Sequence, residues 1–489
     1  MISPTALKRT SSSLILSLFF VFSVGSFVTG CGNTSNSASQ STSNDLLTSG
    51  SPSTSNDLLT SGSPSPALEP VFFLHISDTH FDTKTDTNDG LSADGSVDLT
   101  QSGKALMSAL ITEVAPVIKP LATINTGDMT EKGYIEDTWK TYSSTLLQSS
   151  ILTSYPKYVD IVGNHDVKVE SSLFDYEAGL KNFLLYAQTP TRYGYTTLES
   201  PTGSVRLIRT NTAASTETNY VKRNWENIYG YFPESQQQAL YNHPDRNQTV
   251  ALNVVLGHSP VAESYTPPPA NYVPGTAIYK PNTKTLDTTY FYQITDGNDR
   301  MTQLIDEFQA PIYLSGHVHE PGLVWLANKS LVVKADTFGS HGKQATFYLV
   351  AYDFDAKSPA AKLVQVDATN PAVPSVKWPV VFITSPANSA LGNTTAYTAG
   401  NPNAQPFTTD QTMMLKTMVF SPETVTSVEY VVDNGATPSP LKTVRNSNGR
   451  VWATGIPLAG LSKGSHTVTV TATRSNGSTG EDTISIIVQ

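Results

Sequence analysis

Five short apolar runs each break off at a polar cluster. Val71-Phe-Phe-Leu-His-Ile-Ser77 runs into Asp78-Thr79-His80, and Leu121-Ala-Thr-Ile-Asn-Thr126 into Gly127-Asp128. Tyr158-Val-Asp-Ile-Val162 runs into Gly163-Asn164-His165-Asp166, Asn253-Val-Val-Leu256 into Gly257-His258, and Pro311-Ile-Tyr-Leu-Ser315 into Gly316-His317-Val318-His319. Runs this short and this apolar predict strands buried on both faces. Between them, Leu106, Leu110 and Val114 share a helical face with Met107 and Ile111. Ile135, Trp139, Tyr142 and Leu146 share another, and Met301, Leu304, Ile305 and Phe308 a third. Strands alternating with helices imply an α/β core, and in open α/β sheets sites form beyond the carboxyl ends of the strands. Every one of the five polar clusters falls there.

After Val373 the pattern changes. Val428, Tyr430 and Val432 alternate up to Asp433-Asn434-Gly435, Val468, Val470 and Ala472 alternate before Ser475-Asn476-Gly477, and Ile484, Ile486 and Val488 close the chain. Short alternating segments between turn residues predict an antiparallel sandwich over 378–489, with Trp452 in its core. It resembles bacterial Ig-like modules, which serve as spacers or bind cell-surface polymers.

At the other end, Lys8 and Arg9 precede an uncharged stretch with an apolar centre, Leu14 to Val24, as in an export signal. The stretch closes on Val28-Thr29-Gly30-Cys31, which resembles the lipobox of bacterial lipoproteins. That resemblance implies cleavage of a signal peptide over 1–30, lipidation of Cys31, and a membrane-anchored place in the periplasm or on the cell surface (the outer membrane if the cell is Gram-negative). Two or more acyl chains at about 0.8 kcal/mol per buried CH₂ make a stable anchor. The alternative is an uncleaved transmembrane helix, for which the stretch is long enough. Residues 31–70 are rich in Ser, Thr and Asn and repeat STSNDLLTSGSP in tandem, the composition of a flexible tether.

The length of 489 residues allows two or three domains. A net charge of −10 without Lys/Arg runs excludes a dedicated nucleic-acid surface. One cysteine excludes a disulfide framework and any CxxC zinc site, which leaves the nine histidines as the soft ligands. Five of them, His80, His165, His258, His317 and His319, lie in the strand-end clusters.

The ordered set D-x-H, GD, GNHD, GH and GHxH, each after an apolar strand, resembles the calcineurin-like metallophosphoesterases over 71–373. The resemblance implies a two-sheet α/β/β/α sandwich and a dimetal hydrolase of phosphate esters. Phosphate-ester hydrolysis needs the phosphoryl charge neutralised and an ionised nucleophile at neutral pH. Two divalent transition-metal ions about 3.5–4 Å apart with a bridging hydroxide supply both. Carried over residue by residue, Asp128 bridges the metals. Asp78, His80 and His319 complete one site, and Asn164, His258 and His317 the other. His165 then protonates the leaving-group oxygen or stabilises the transition state, with Asp166 either orienting its ring or capping the loop. The ligand set suits Fe, Mn, Zn, Co or Ni.

Gly127-Asp128-Met-Thr-Glu-Lys-Gly133 lacks the Asp-Arg pair of the serine/threonine phosphatases, carrying Glu131 and Lys132 instead, and lacks the tyrosine of the purple acid phosphatases. With the D-x-H histidine present, the set looks most like the class III cyclic-nucleotide phosphodiesterase-like branch, which favours a diester substrate. A phosphomonoesterase or nucleotidase of the same fold, and a surface binding protein with a relic domain, are the alternatives. The insertion Val261–Arg300, rich in Pro and Tyr, is placed either to stack on a nucleotide-like leaving group or to form a self-packed loop. Lys168, Lys181, Arg192, Arg206, Arg209, Lys222 and Arg223 are the candidates for a phosphate clamp. Of the remaining histidines, His75 is expected in the core or behind the ligands, His243 on the surface and His466 in a strand. His341 is open to a role beside the substrate.

Overall fold

The computed structural model describes residues 69–81, 102–148, 157–167, 176–213, 230–261, 293–339, 345–367, 374–392, 400–433, 435, 437–443 and 449–489. The export signal, all but the last two residues of the tether, Cys31, most of the insertion, His341, Lys168, Lys222 and Arg223 lie outside them. No helix among the described residues is long and apolar enough to cross a membrane.

Two six-stranded sheets carry the site. The first orders β14 (Ser375–Val376), β13 (Ser358–Asp367), β12 (Ala345–Asp353), β1 (Val71–Ile76), β2 (Ala122–Asn125) and β3 (Tyr158–Asp160). The second orders β10 (Gly322–Trp325), β11 (Leu331–Lys334), β9 (Ile312–Ser315), β7 (Leu252–Leu256), β5 (Gly203–Arg209) and β4 (Gly194–Ser200). The strands that lead into the five polar clusters pair in parallel within each sheet, β1 with β2 with β3 and β7 with β9. Parallel pairing brings their carboxyl ends to one edge, as the sequence pattern requires.

The pleat sorts alternate residues between layers. On β1, Val71 and Phe73 face the second sheet, in one core with Ile124, Val254, Leu256, Ile312 and Leu314. Phe72, Leu74 and Ile76 face helices Ser102–Ala109 (continued by a π-turn and Ala115–Ile118), Glu136–Leu146 and Tyr176–Tyr186 through Leu106, Trp139, Tyr142 and Phe183. Helices Glu234–Tyr241 and Asn298–Glu307 cover the far side of the second sheet through Leu240, Met301, Leu304 and Ile305. The order is therefore α/β/β/α. A parallel pair, β6 (Gly230–Tyr231) and β8 (Ile294–Asp296), flanks the insertion.

The C-terminal strands form two four-stranded sheets. One orders β15 (Val380–Ser385), β16 (Thr412–Phe420), β20 (Val451–Pro457) and β19 (Lys442–Thr443). The other orders β18 (Ser439–Pro440), β17 (Val425–Val432), β21 (Gly464–Arg474) and β22 (Thr479–Val488). Val428, Val468, Val470, Ala472, Ile484 and Ile486 fill the space between them, and Trp452 packs partly buried at the edge of that core. The sandwich does not stand clear as a spacer would. Val380, Phe382, Met418, Phe420 and Val451 join the core under the first sheet, and the rings of Phe72 and Phe420 lie 5.5 Å apart. Lys416, fully buried, donates to Asp353 at 3.0 Å, and Arg450 pairs with Glu69 at 2.6 Å.

Candidate metal centre

The ligand-type residues sit on backbone that ordinary side chains avoid. Asp78, His80, Asp128, His317 and His319 all have positive φ, between 43° and 72°. The backbone turns sharply after β1, β2 and β9, so the side chains that follow aim inward rather than along the sheet. Neighbouring glycines make room. Gly127, at φ 121°, leaves no space for a β-carbon, which would lie 2.4 Å from His258 Nδ1. At Gly316 a β-carbon would strike Ser77 Oγ and Asp78 Oδ2.

Seven side chains from the two sheets then converge in two adjoining groups. In one, His319 Nε2 lies 3.2 Å from Asp78 Oδ1 and 3.1 Å from His80 Nε2. In the other, His258 Nε2 lies 3.2 Å from Asp128 Oδ2, 2.9 Å from Asn164 Oδ1 and 3.1 Å from His317 Nδ1. Asp128 joins them. Its Oδ1 accepts the His165 backbone N–H at 2.7 Å, so a single oxygen, Oδ2, faces both groups, 4.0 Å from His80 Nε2. The carboxylate-imidazole groups Asp78–His80–Asp128–His319 and Asp128–His258–His317 each draw their ligand atoms close enough to hold an ion.

The family model for calcineurin-like phosphoesterases matches residues 73–321. The chain belongs to the calcineurin-like phosphoesterases. Among solved structures it is similar to a dimetal phosphatase of Danio rerio, at 13% identity over 61% of this chain and 96% of that one, with a TM-score of 0.40. It is similar to the purple acid phosphatase from yellow lupin (Lupinus luteus) seeds, at 12% identity over 62% of this chain and 52% of that one, TM-score 0.35. Fibronectin(III)-like modules of Clostridium thermocellum CbhA match 22% of this chain and 94% of their own length at 20% identity, TM-score 0.16. No curated protein matches the chain. The enzyme is a hydrolase of phosphate esters.

The phosphoesterase's residues fit metal ions on their own chemistry. Asp78 Oδ1 and Asp128 Oδ2 are buried and, among the described residues, accept no hydrogen bond, an arrangement that costs several kcal/mol unless a cation faces them. His258 Nδ1–H donates to the Thr126 carbonyl at 2.9 Å, which fixes the tautomer and leaves Nε2 as the lone-pair face. The electrostatics point the same way. Burial opposes charge on His80, yet the neighbouring carboxylates of Asp78, Glu131 and Asp128 raise its pKa to about 10. Burial likewise opposes charge on His258, and the Asp128 and Asp78 carboxylates lift it to about 9. Burial pushes the Asp128 carboxyl up, but the surrounding imidazoles hold it far below the usual carboxylate range. The site demands positive charge, which protons meet when metal does not.

Asp166 does not orient His165. Its Oδ1 accepts from the Thr130 backbone N–H at 3.0 Å and hydroxyl at 3.2 Å, and its Oδ2 from the Gly163 N–H at 2.9 Å. It caps the loop, because consecutive residues in a turn point apart. Burial and the Asp128 charge push its pKa up to about 8. The carboxylate beside His165 is Glu131, whose Oε2 lies 3.3 Å from His165 Nδ1 and 2.9 Å from His80 Nδ1. The sequence signal was its place three residues after Asp128, already marked as the point of departure from other branches.

The other candidates scatter. Arg206 donates to the backbone carbonyls of Asp245, Arg246 and Gln248, and Arg209 to Thr191 and Thr196, so both serve structure. His243 caps the short helix Pro244–Asn247, and His466 pairs with Asp433 in the sandwich. His75 is fully buried.

Proposed function

We propose that this phosphoesterase cleaves phosphodiesters in preference to monoesters at a two-metal centre, and that a lipid anchor on Cys31 holds it outside the cytoplasm. The observation that carries the two-metal reading is the single shared oxygen, Asp128 Oδ2, between two groups of buried ligands. In this reading Asp78, His80, Asp128 and His319 hold one ion, and Asp128, Asn164, His258 and His317 the other. Bound ions would neutralise the phosphoryl oxygens and lower the pKa of a water to make the nucleophile. His165, with its side chain one-fifth exposed, delivers a proton to the leaving-group oxygen, and Glu131 holds its ring at Nδ1 through its backbone carbonyl at 3.2 Å and its carboxylate at 3.3 Å. The diester preference rests on the Gly127–Gly133 motif together with the D-x-H histidine. A nucleotide-like leaving group is favoured by the aromatic insertion beside His258.

The test is a rate comparison of the metal-loaded protein on bis-p-nitrophenyl phosphate, p-nitrophenyl phosphate and a nucleotide panel. A higher kcat/KM on the diester is expected, and a preference for the monoester would overturn the diester assignment. For the anchor, wild type and Cys31→Ala are expressed in a bacterial host with labelled palmitate. Label and membrane fractionation should be lost together in the variant, and membrane retention without label would point to an uncleaved span instead.

A further inference from the structure

We infer that His75 is a positioning residue for the metal ligand His258, acting from the interior of β1 through Thr126. The inference rests on the two-metal reading above. His75 follows Val71 and Phe73 on the β1 face that packs against the second sheet, and Thr126 follows Ala122 and Ile124 on the same face of the neighbouring strand. Both are fully buried, and His75 Nε2 shares a hydrogen bond with Thr126 Oγ1 at 3.0 Å. Thr126 in turn accepts the His258 Nδ1–H on its carbonyl at 2.9 Å and opens the turn at Gly127 and Asp128. A side-chain bond from β1, beside the backbone bond from the Thr126 N–H to the Ile76 carbonyl at 3.0 Å, therefore anchors the residue that both orients a ligand and starts the turn carrying the shared carboxylate.

Stability alone does not account for a histidine here. Its Nδ1 is buried with no hydrogen-bond partner among the described residues, and such an atom costs about 1–3 kcal/mol. An apolar side chain of similar volume would continue the Val71–Phe73 row at no such cost. What His75 adds is directional. Together with Asn125 Oδ1, which accepts the Gly127 N–H of that peptide at 3.3 Å, it holds the Thr126 carbonyl where it meets His258, so that Nε2 points at Asp128 Oδ2 and not past it. Groups that orient metal-bound histidines commonly change metal affinity by 10–100-fold when removed, and this one acts a step further out.

The experiment is equilibrium dialysis of the full chain against buffered Mn²⁺, with metal counted by mass spectrometry, on wild type, His75→Leu, His75→Gln, Thr126→Val and the His75→Leu/Thr126→Val pair. Thermal unfolding of each protein stripped of metal is measured alongside. Wild type should take up two equivalents. His75→Leu and Thr126→Val should each weaken one equivalent by about tenfold while leaving the other within a factor of two, and the pair should be no worse than either single change. His75→Gln, which keeps a hydrogen-bonding group, should recover most of the affinity. The Tm of metal-free His75→Leu should equal or exceed that of wild type. Unchanged affinities, additive losses, or loss of both equivalents together with a lowered metal-free Tm would overturn the inference. A wild type that binds fewer than two equivalents would overturn the two-metal reading itself.

Discussion

Glu131→Gln keeps the size and shape of the side chain and removes one charge from between two imidazoles. The carboxylate lies 2.9 Å from His80 Nδ1 and 3.3 Å from His165 Nδ1, so one substitution touches a candidate metal ligand and the candidate acid at once. On the metal side, losing the carboxylate behind a coordinating histidine lowers affinity by about 10–100-fold, which is about 1.4–2.7 kcal/mol. On the proton side, a positioned acid contributes about 10²–10⁴-fold to the rate, and loosening it forfeits part of that. Saturating metal separates the two effects. With metal in excess, kcat on p-nitrophenyl esters should fall modestly, because that leaving group departs without much help from a proton. On an alkyl phosphodiester the fall should be at least ten times larger, and His165→Ala should show the same dependence. Asp166→Asn is the contrast. It leaves one of the Thr130 and Gly163 N–H groups without its acceptor and should cost about 1–3 kcal/mol of stability, with no change in leaving-group dependence. If Glu131→Gln loses the same factor on both leaving groups at saturating metal, or Asp166→Asn reproduces its pattern, the assignment of Glu131 to His165 is refuted.

Four further outcomes are expected. Asp128→Asn should abolish hydrolysis with the circular-dichroism spectrum unchanged, and measurable turnover in that variant would contradict the shared-carboxylate centre. Chelation should remove activity and added Mn²⁺ or Fe²⁺ restore it, so full activity in the metal-depleted protein would count against metal-dependent hydrolysis. Lys416→Met strands the buried Asp353 carboxylate without its cation and should cost about 3–5 kcal/mol in denaturant unfolding. Because the sandwich and the α/β layers share a core, activity and strand signal should be lost in one transition in wild type, and two separated transitions would contradict that.

The strand ends were legible in the sequence for a local reason. A parallel strand buried on both faces must be apolar throughout, so the place where polarity returns marks its carboxyl end, and the site residues follow at once. Asp78, His80, Asp128, Asn164, His165, His258, His317 and His319 all follow such strand ends in the sequence, and the structure brings them together. What the chain order could not show was which side chains face each other across the centre. Asp166 is next to His165 in sequence yet turns away into the loop. Glu131, thirty-four residues from His165, closes on it because the GD and GNHD loops lie side by side above adjacent strands. The same holds for His75, whose effect runs through a neighbouring strand, and for the sandwich, whose alternating pattern revealed its strands but not its buried contact with Asp353 and Phe72. Periodicity reports which way a residue points from its own element. Only the packing of one element on another decides what it meets.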